Sequence, residues 1–327
     1  MARRTVRVGT SGWVYGDWRG AFYPDELPAR DRLAFYAERF DTVEINSTHY
    51  RLASAPAVAA WQACLPRGFH MVAKGSAFIT HRLKLRNCEA AIERFFAPLA
   101  PLTSLRVVLW QLPARFPLDL ERVDRFLAAL PKRPNGRAIR HAMEFRDPWW
   151  WRDEVRDLLA RHRVAFCAVS HPELPDDVVV TGDLVYARFH GLGPAKYHYD
   201  YSDAELVPWA ARLRPHLGAR DVYAFFNNDY EAHAIRNGER LREMLAARSL
   251  REVRARLPIA RRPNVQERRS AAEDADGCSA TTSGRRDRAG SVARSPSPRK
   301  QVRAPPRARA GGSTRSPSPA ARRVRPR

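Results

Sequence analysis

The stretch TVEINSTHYRLASAPAVAAWQACLPRGFHMVAKGS, from Thr42 to Ser76, contains one complete unit of the fold. It begins with the apolar run Thr42–Ser47, continues through the amphipathic segment Pro56–Cys64, and ends with a second apolar run, His70–Ser76. A strand, a helix and a second strand in this order predict a βαβ unit with two parallel strands.

The same alternation continues on both sides of this unit. Strands are predicted at Val6–Ser11, Thr42–Ser47, His70–Ser76, Leu105–Leu112, His141–Phe145, Val164–Ser170, Leu184–His190 and Val222–Asn228. Helices are predicted at Arg30–Phe40, Pro56–Cys64, Glu89–Leu99, Leu120–Leu130, Arg152–Arg161, Asp203–Leu217 and Glu231–Leu245. The connection His171–Asp183 contains Pro172 and Pro175, which favour a loop. Eight such strands predict an α/β fold, a (β/α)8 TIM-type barrel. No GxGxxG motif follows the first strand, which argues against an open dinucleotide-binding sheet.

The C-terminal part of the chain has a different composition. The whole chain carries a formal net charge of +22, and residues 258–327 contain 18 Lys and Arg against 5 Asp and Glu. No aromatic residue follows Tyr230, and RSPSP occurs at Arg294–Pro298 and again at Arg315–Pro319. Such a segment cannot bury enough apolar surface to offset the entropy cost of ordering. We therefore predict a barrel over residues 1–257 and a disordered, basic Arg/Pro/Ser/Gly-rich tail over residues 258–327.

Cysteine usage and hydropathy predict the compartment. The four cysteines form no CxxC pair, and this usage suits a reducing cytosol. The N-terminus MARRTVRVGTSGW has no apolar region of a secretory signal, and no apolar run reaches the roughly 18 residues that a membrane span needs. We expect a soluble, cytoplasmic protein that has no membrane partner.

Polar side chains end six of the eight predicted strands. Alternate residues of a strand share one face, so these side chains are expected to point into the barrel at its carboxyl-terminal mouth. They are Glu44, Asn46, Lys74, Ser76, Gln111, Glu144, Arg146, Arg188, His190, Asn227 and Asp229. A buried polar group costs free energy unless it is paired, so a ring of them at one end indicates a ligand pocket.

Seven motifs occur in an order that we recognise. They are GTSGWVYGDWRGAFYP (Gly9–Pro24), FDTVEINSTHYRL (Phe40–Leu52), FITHRLKL (Phe78–Leu85), LWQLPARF (Leu109–Phe116), MEFRDPWW (Met143–Trp150), YARFHG (Tyr186–Gly191) and FFNNDYEAHAIRN (Phe225–Asn237). Together they resemble the YecE-like family, also called domain of unknown function 72. The resemblance covers Val6 to Leu245 and implies a TIM-type barrel with a pocket, but no particular chemistry. The departures from the family pattern are His49 and the tryptophans Trp149–Trp151.

Glu44 and Glu144 are the predicted acid/base pair. Paired carboxylates at a barrel mouth are what glycoside hydrolysis uses. Lys74 is the third predicted catalytic residue, because desolvation of a lysine can make it a nucleophile. The alternative is purely structural, with Glu44 paired to Lys74 and Glu144 paired to Arg188 in buried ion pairs.

The remaining site residues are predicted to bind the ligand. Asn46, Gln111, His190 and Asn227 would orient it. Lys74, Arg146 and Arg188 would stabilise charge, and Trp13 and Tyr50 would contact it. The loop after the seventh strand offers Gly191, Gly193 and Lys196 as an anion-binding segment. Asp229 either joins the pocket or caps the following helix. No cofactor is predicted, and no HxH or HExxH spacing occurs. The alternative that stays open is a divalent cation such as Mg²⁺, whose candidate ligands are Glu44, His81, His190 and Asp229.

Three function classes follow. The first is an enzyme, a hydrolase, that applies carboxylate acid/base chemistry to a small polar substrate, sugar-like or phosphate-bearing. The second is a nucleic-acid-binding or nucleic-acid-processing protein, whose tail would make nonspecific, salt-sensitive phosphate contacts. The third is a ligand-binding barrel without catalysis.

Overall fold

Eight parallel strands form the centre of the molecule. The computed structural model describes residues 5–247, apart from the side chains of Asn135 and Lys196. The strands are β1 (Val6–Thr10), β2 (Thr42–Ile45), β3 (His70–Lys74), β4 (Leu105–Gln111), β5 (Arg140–Glu144), β6 (Ala165–Ser170), β7 (Leu184–Phe189) and β8 (Asp221–Phe226). They are hydrogen-bonded in the order β1-β8-β7-β6-β5-β4-β3-β2. The predicted strands are confirmed to within two residues at either end.

Helices alternate with these strands and complete a (β/α)8 TIM-type barrel. They are α1 (Arg32–Ala37), α2 (Ser47–Tyr50), α3 (Ala55–Cys64), α4 (Glu89–Phe96), α5 (Leu120–Ala129), α6 (Asp153–His162), α7 (Asp203–Leu213) and α8 (His233–Ala246). The short helix α2 and a π-helical turn at Phe78–Arg82 were not predicted. Helix α7 ends before the predicted Leu217, in a 3-10 turn that contains Pro215. Residues 171–183 form no helix, in agreement with their two prolines.

The interior of the barrel has an apolar layer below a polar one. Inward-facing residues of six strands form one buried apolar cluster: Val72, Val107, Leu109, Ala142, Ala165, Cys167, Val169, Leu184, Tyr186, Tyr223 and Phe225. Lys74, Gln111, Glu144 and Arg188 each come two residues after a member of this cluster, toward the carboxyl end of the same strand. The two-residue period of a strand therefore places them on the same inward face, one layer higher.

Side chains close the barrel between β1 and β2, where no strand ladder is formed in the described part of the chain. The Tyr36 hydroxyl accepts from the Thr10 amide at 3.0 Å and donates to the Thr42 carbonyl at 3.1 Å. A Cβ atom on Gly9 would lie 2.4 Å from the same carbonyl oxygen, so only glycine allows this approach. Near the upper end, Asn46 Nδ2 donates to the Ser11 carbonyl at 2.7 Å.

The tail predicted for residues 258–327 lies outside the described residues, so the two-region prediction stays a prediction. Among residues 5–247, no helix is long and apolar enough to cross a membrane.

Candidate functional site

An open cavity of about 830 Å³, the main cavity, lies at the carboxyl ends of the strands. This volume is typical of small-molecule sites, and barrels of this type bind their substrates at this end. Most of its lining residues carry a cationic, carboxylate, amide, imidazole or phenol group. The lining residues are Tyr15, Asn46, His49, Tyr50, Lys74, Ala77, His81, Gln111, Pro113, Ala114, Arg146, His171, Glu173, Tyr197, Asn227 and Asp229.

Beneath the main cavity, the guanidinium group of Arg188 joins two carboxylates. Its Nη2 lies 2.6 Å from Glu44 Oε1, and its Nη1 lies 2.7 Å from Glu144 Oε2. The second oxygen of Glu44 accepts a 2.5 Å hydrogen bond from the Tyr186 hydroxyl. All three charged side chains are 0% exposed, and such burial is tolerated when the charges are paired and hydrogen-bonded. Glu44 and Glu144 therefore lie below the cavity rather than on its wall.

The network extends from Glu144 back to the cavity. Glu144 Oε1 lies 2.6 Å from Arg146 Nε and 3.1 Å from His190 Nε2, and Asn227 Nδ2 donates to His190 Nδ1 at 3.2 Å. Burial alone would raise the pKa of Glu144, but Arg146 and Arg188 outweigh it and hold the pKa well below its usual range. Burial, with the nearby Arg146, lowers the pKa of His190. His190 is thus neutral, with its proton on Nε2 toward the carboxylate.

One wall of the main cavity is cationic. Burial lowers the pKa of Lys74 to about 8, and the charge of Arg188 adds to this effect. Burial and the Lys74 ammonium lower the pKa of His49 to about 4, so this imidazole is neutral and its Nδ1 donates to the Gly75 carbonyl at 2.7 Å. The ring of His81 packs edge-on against His49 at 5.0 Å, and burial followed by Lys74 lowers its pKa too. Lys74 and Arg146 are therefore the main cationic groups of this wall.

A protonated carboxyl lies among the lining residues that follow β1 and β8. Burial raises the pKa of Asp229 to about 8, although Tyr15 acts in the opposite direction. The Oδ1 atom of Asp229 is buried without a hydrogen-bond partner among the described residues, which leaves its charged form poorly solvated. Burial and the neighbouring Asp229 raise the pKa of Tyr15. Asp229 is accordingly neutral near pH 7, and its side chain makes no helix-cap hydrogen bond.

The predicted site residues fall into three groups. Eight of them line the main cavity: Asn46, Tyr50, Lys74, His81, Gln111, Arg146, Asn227 and Asp229. Four form the buried network below it: Glu44, Glu144, Arg188 and His190. Of the two pairings in the structural alternative, Glu144 with Arg188 is present, but Glu44 is bonded to Arg188 and Tyr186 rather than to Lys74. The prediction that Glu44 and Glu144 act as acid and base stays untested.

The third group lies away from the main cavity. Trp13 is buried and lines a different cavity. The Gly191 amide donates to the Tyr201 hydroxyl at 2.9 Å, so it is already used within its own loop. Gly193 lies in the same loop but is not a lining residue, and the side chain of Lys196 is outside the described part of the chain. The anion-binding loop therefore stays a prediction.

The four predicted metal donors do not converge. Among residues 5–247, no three His, Cys, Asp or Glu side chains form a group that could hold a metal ion. Both oxygens of Glu44 and both ring nitrogens of His190 already have hydrogen-bond partners. A divalent cation stays a prediction.

Comparison with known proteins agrees with this architecture. The family model described as "Protein of unknown function DUF72" matches residues 7–261. The chain belongs to the DUF72 family. The Bacillus subtilis protein YunF is 24% identical over 272 residues, which are 73% of this chain and 94% of YunF. The Escherichia coli protein YecE is 34% identical over 116 residues, 35% of this chain and 43% of YecE. A crystal structure of a DUF72 family protein from Thermotoga maritima has a TM-score of 0.67 at 28% identity and covers 75% of this chain and 100% of that one.

Several lining residues of this DUF72 barrel were missed by the sequence interpretation. Tyr15, His49, His171, Glu173 and Tyr197 come from loops or from the short helix α2, where no strand period indicates a direction. His49 could have been found, because it follows β2 by only a few residues and departs from the family pattern. The Tyr15 phenol could have been found within the aromatic segment after β1.

Proposed function

We propose that this chain is an enzyme that binds a small, polar, anionic substrate in the main cavity and hydrolyses it by acid/base chemistry. The observation that carries the proposal is the pairing of cationic Lys74 and Arg146 with the neutral carboxyl of Asp229 in one open cavity. A sugar-like or phosphate-bearing substrate fits this chemistry.

Anion binding is supported by Lys74 and Arg146, the two cationic side chains of a wall that also carries the carboxyl group of Glu173. Lys74 is protonated below pH 8 and presents a compact ammonium group. Arg146 is tied to Glu144 through Nε at 2.6 Å. A guanidinium group has further N–H donors that can bind carboxylate or phosphate oxygens. Gln111 and Asn227 add neutral amides that orient a polar ligand.

The acid/base assignment rests on pKa values near the working pH. A general acid or base is most effective when its pKa lies near the pH at which it operates. The pKa of Asp229 is raised to about 8, which resembles the tuning of catalytic carboxyls in apolar sites. Asp229 would give its proton to the leaving group, and the resulting carboxylate would take one from water. Glu44 and Glu144, sealed below, would act through Arg188 as positioning residues.

The test is a substrate screen followed by four matched variants. The purified chain is assayed against phosphomonoesters, glycosides and acyl esters, and any activity is measured again in Asp229→Asn, Lys74→Met, Glu44→Gln and Glu144→Gln. Loss of a general acid should lower kcat of Asp229→Asn about 100-fold or more. Lys74→Met should raise KM for an anionic substrate. Thermal melting of each variant separates lost chemistry from lost folding.

Retained turnover in Asp229→Asn would overturn the assignment of the acid. Retained turnover after both Asp229→Asn and Lys74→Met would overturn the proposed function. Tight binding of an anion with no product from any substrate class would instead support a ligand-binding barrel. Salt-sensitive binding of oligonucleotides that compete with small anions for the main cavity would support a nucleic-acid function.

A further inference from the structure

A second cavity, of about 490 Å³, lies beside the main cavity. Its lining comes from the loop after β1, from α1, from the end of β2 and from α3. Its apolar lining residues include Trp13, Trp61 and Leu33, and its charged ones are Arg30 and Arg51. Nothing in the acid/base chemistry of the main cavity uses this space.

Two tryptophans shape the second cavity. The rings of Trp13 and Trp61 are 5.8 Å apart and meet edge to face at 87°. Trp13 is buried, whereas Trp61 is partly exposed on α3. Aromatic side chains in this arrangement offer a rigid apolar surface against which a flat ring or an aliphatic chain packs favourably. The lining is therefore suited to an apolar group.

Only two residues belong to both cavities, Tyr15 and Asn46. Both are anchored on the same atom: the Tyr15 hydroxyl donates to the Ser11 carbonyl at 2.5 Å, and Asn46 Nδ2 donates to it at 2.7 Å. The two cavities thus share the part of their walls that these two side chains form, and both side chains are bonded to a single carbonyl.

We propose that the second cavity binds the aromatic or aliphatic group of the same ligand whose anionic end occupies the main cavity. This inference rests on the proposed function and extends it, because it gives the substrate class as an amphipathic anion. The anionic end contacts Lys74 and Arg146, and the apolar end packs against Trp13 and Trp61.

The test uses three non-hydrolysable probes of increasing apolar size: methylphosphonate, benzylphosphonate and 2-naphthylmethylphosphonate. Their dissociation constants are measured by isothermal titration calorimetry on the full chain. Burial of a ring on the apolar wall should tighten binding of the naphthyl probe at least about 10-fold relative to methylphosphonate.

Helix α3 offers a matched pair of variants. Ala59 and Ala60 are adjacent and both exposed, but only Ala60 lines the second cavity. Ala60→Phe should fill the cavity and remove the gain of the naphthyl probe while leaving methylphosphonate unchanged. Ala59→Phe should leave both affinities unchanged. Trp61→Ala should also reduce the gain, by loss of packing surface rather than by obstruction.

The outcomes separate this inference from the proposed function. If Lys74→Met weakens the binding of methylphosphonate but the naphthyl group gives no gain in affinity, only the second-cavity proposal is overturned. A gain that survives Ala60→Phe overturns it as well. Suppose that neutral 2-naphthol binds to wild type but not to Ala60→Phe, and that the charge of the phosphonates adds no affinity. This result overturns the proposed anionic end of the ligand and keeps the apolar site.

Discussion

Replacing Asp229 by Asn should change how the stability of the protein depends on pH. In wild type, the buried carboxyl keeps its proton up to about pH 8, whereas the unfolded chain loses it near pH 4. Between these values the native state binds more protons than the unfolded state, so the free energy of unfolding falls as the pH rises. An asparagine amide is neutral throughout and removes this contribution.

The size of the effect follows from the pKa change. A change from 3.8 to about 8 would lower the stability by about 4 kcal/mol between pH 5 and pH 8.5, at 1.36 kcal/mol per pKa unit. The Oδ1 atom of Asp229 is buried but the residue as a whole is partly exposed, and solvent screening reduces the effect by about half, to roughly 2 kcal/mol. The stability of Asp229→Asn relative to wild type should therefore rise by that amount across this pH range.

Urea unfolding followed by tryptophan fluorescence at several pH values measures this difference. Histidines and other groups titrate equally in both proteins, so their contributions cancel. Asp157→Asn, an exposed change on α6, is the control for removal of a surface carboxyl group. A difference for Asp229→Asn that stays constant within about 0.5 kcal/mol, the usual range of surface substitutions, would refute a neutral carboxyl at pH 7.

Three further predictions concern other parts of the barrel. Sulfate does not titrate in this range, so its affinity should fall as the pH rises through about 8, where Lys74 loses its charge, and calorimetry on Lys74→Met should find this dependence reduced. Arg188→Met should cost about 3–5 kcal/mol in chemical denaturation, because Glu44 remains buried without a cation and Glu144 keeps only Arg146; a loss below 1 kcal/mol would contradict the pairing. Tyr36→Phe should cost about 1–3 kcal/mol by the same assay, since it leaves a buried amide and carbonyl unbonded, and an unchanged midpoint would show that the hydroxyl has little effect on stability.

The fold was predictable because each strand and helix carries its own local signal. The apolar runs ended where polar residues began, and those positions match the strand ends to within two residues. Helix α2 was not predictable, since four residues are too few for a helical period. The end of α7 was mispredicted because Pro215 lies in a 3-10 turn that follows the helix and resembles its continuation.

The sequence indicated which face of its strand each candidate site residue lies on, but not how deeply its side chain is buried. Glu44 and Asn46 are two residues apart and were expected to share the inward face of one strand, yet Glu44 is sealed below the main cavity and Asn46 lines it. A two-residue period gives the face of a strand, whereas depth depends on where the neighbouring strands end. Tyr15, in the loop after β1, and His49, in the short helix α2, have no strand period, so only their closeness in sequence to a strand end could have indicated the pocket.

The junction between β1 and β2 has a consequence for how the molecule tolerates change. At the other seven strand junctions, main-chain bonds hold neighbours together, and any residue type except proline can supply them. Between β1 and β2, the phenol of Tyr36 and the carboxamide of Asn46 replace that ladder. Closure of the cylinder at this junction therefore depends on the identity of two side chains, and a single substitution at Tyr36 or Asn46 removes bonds that span it.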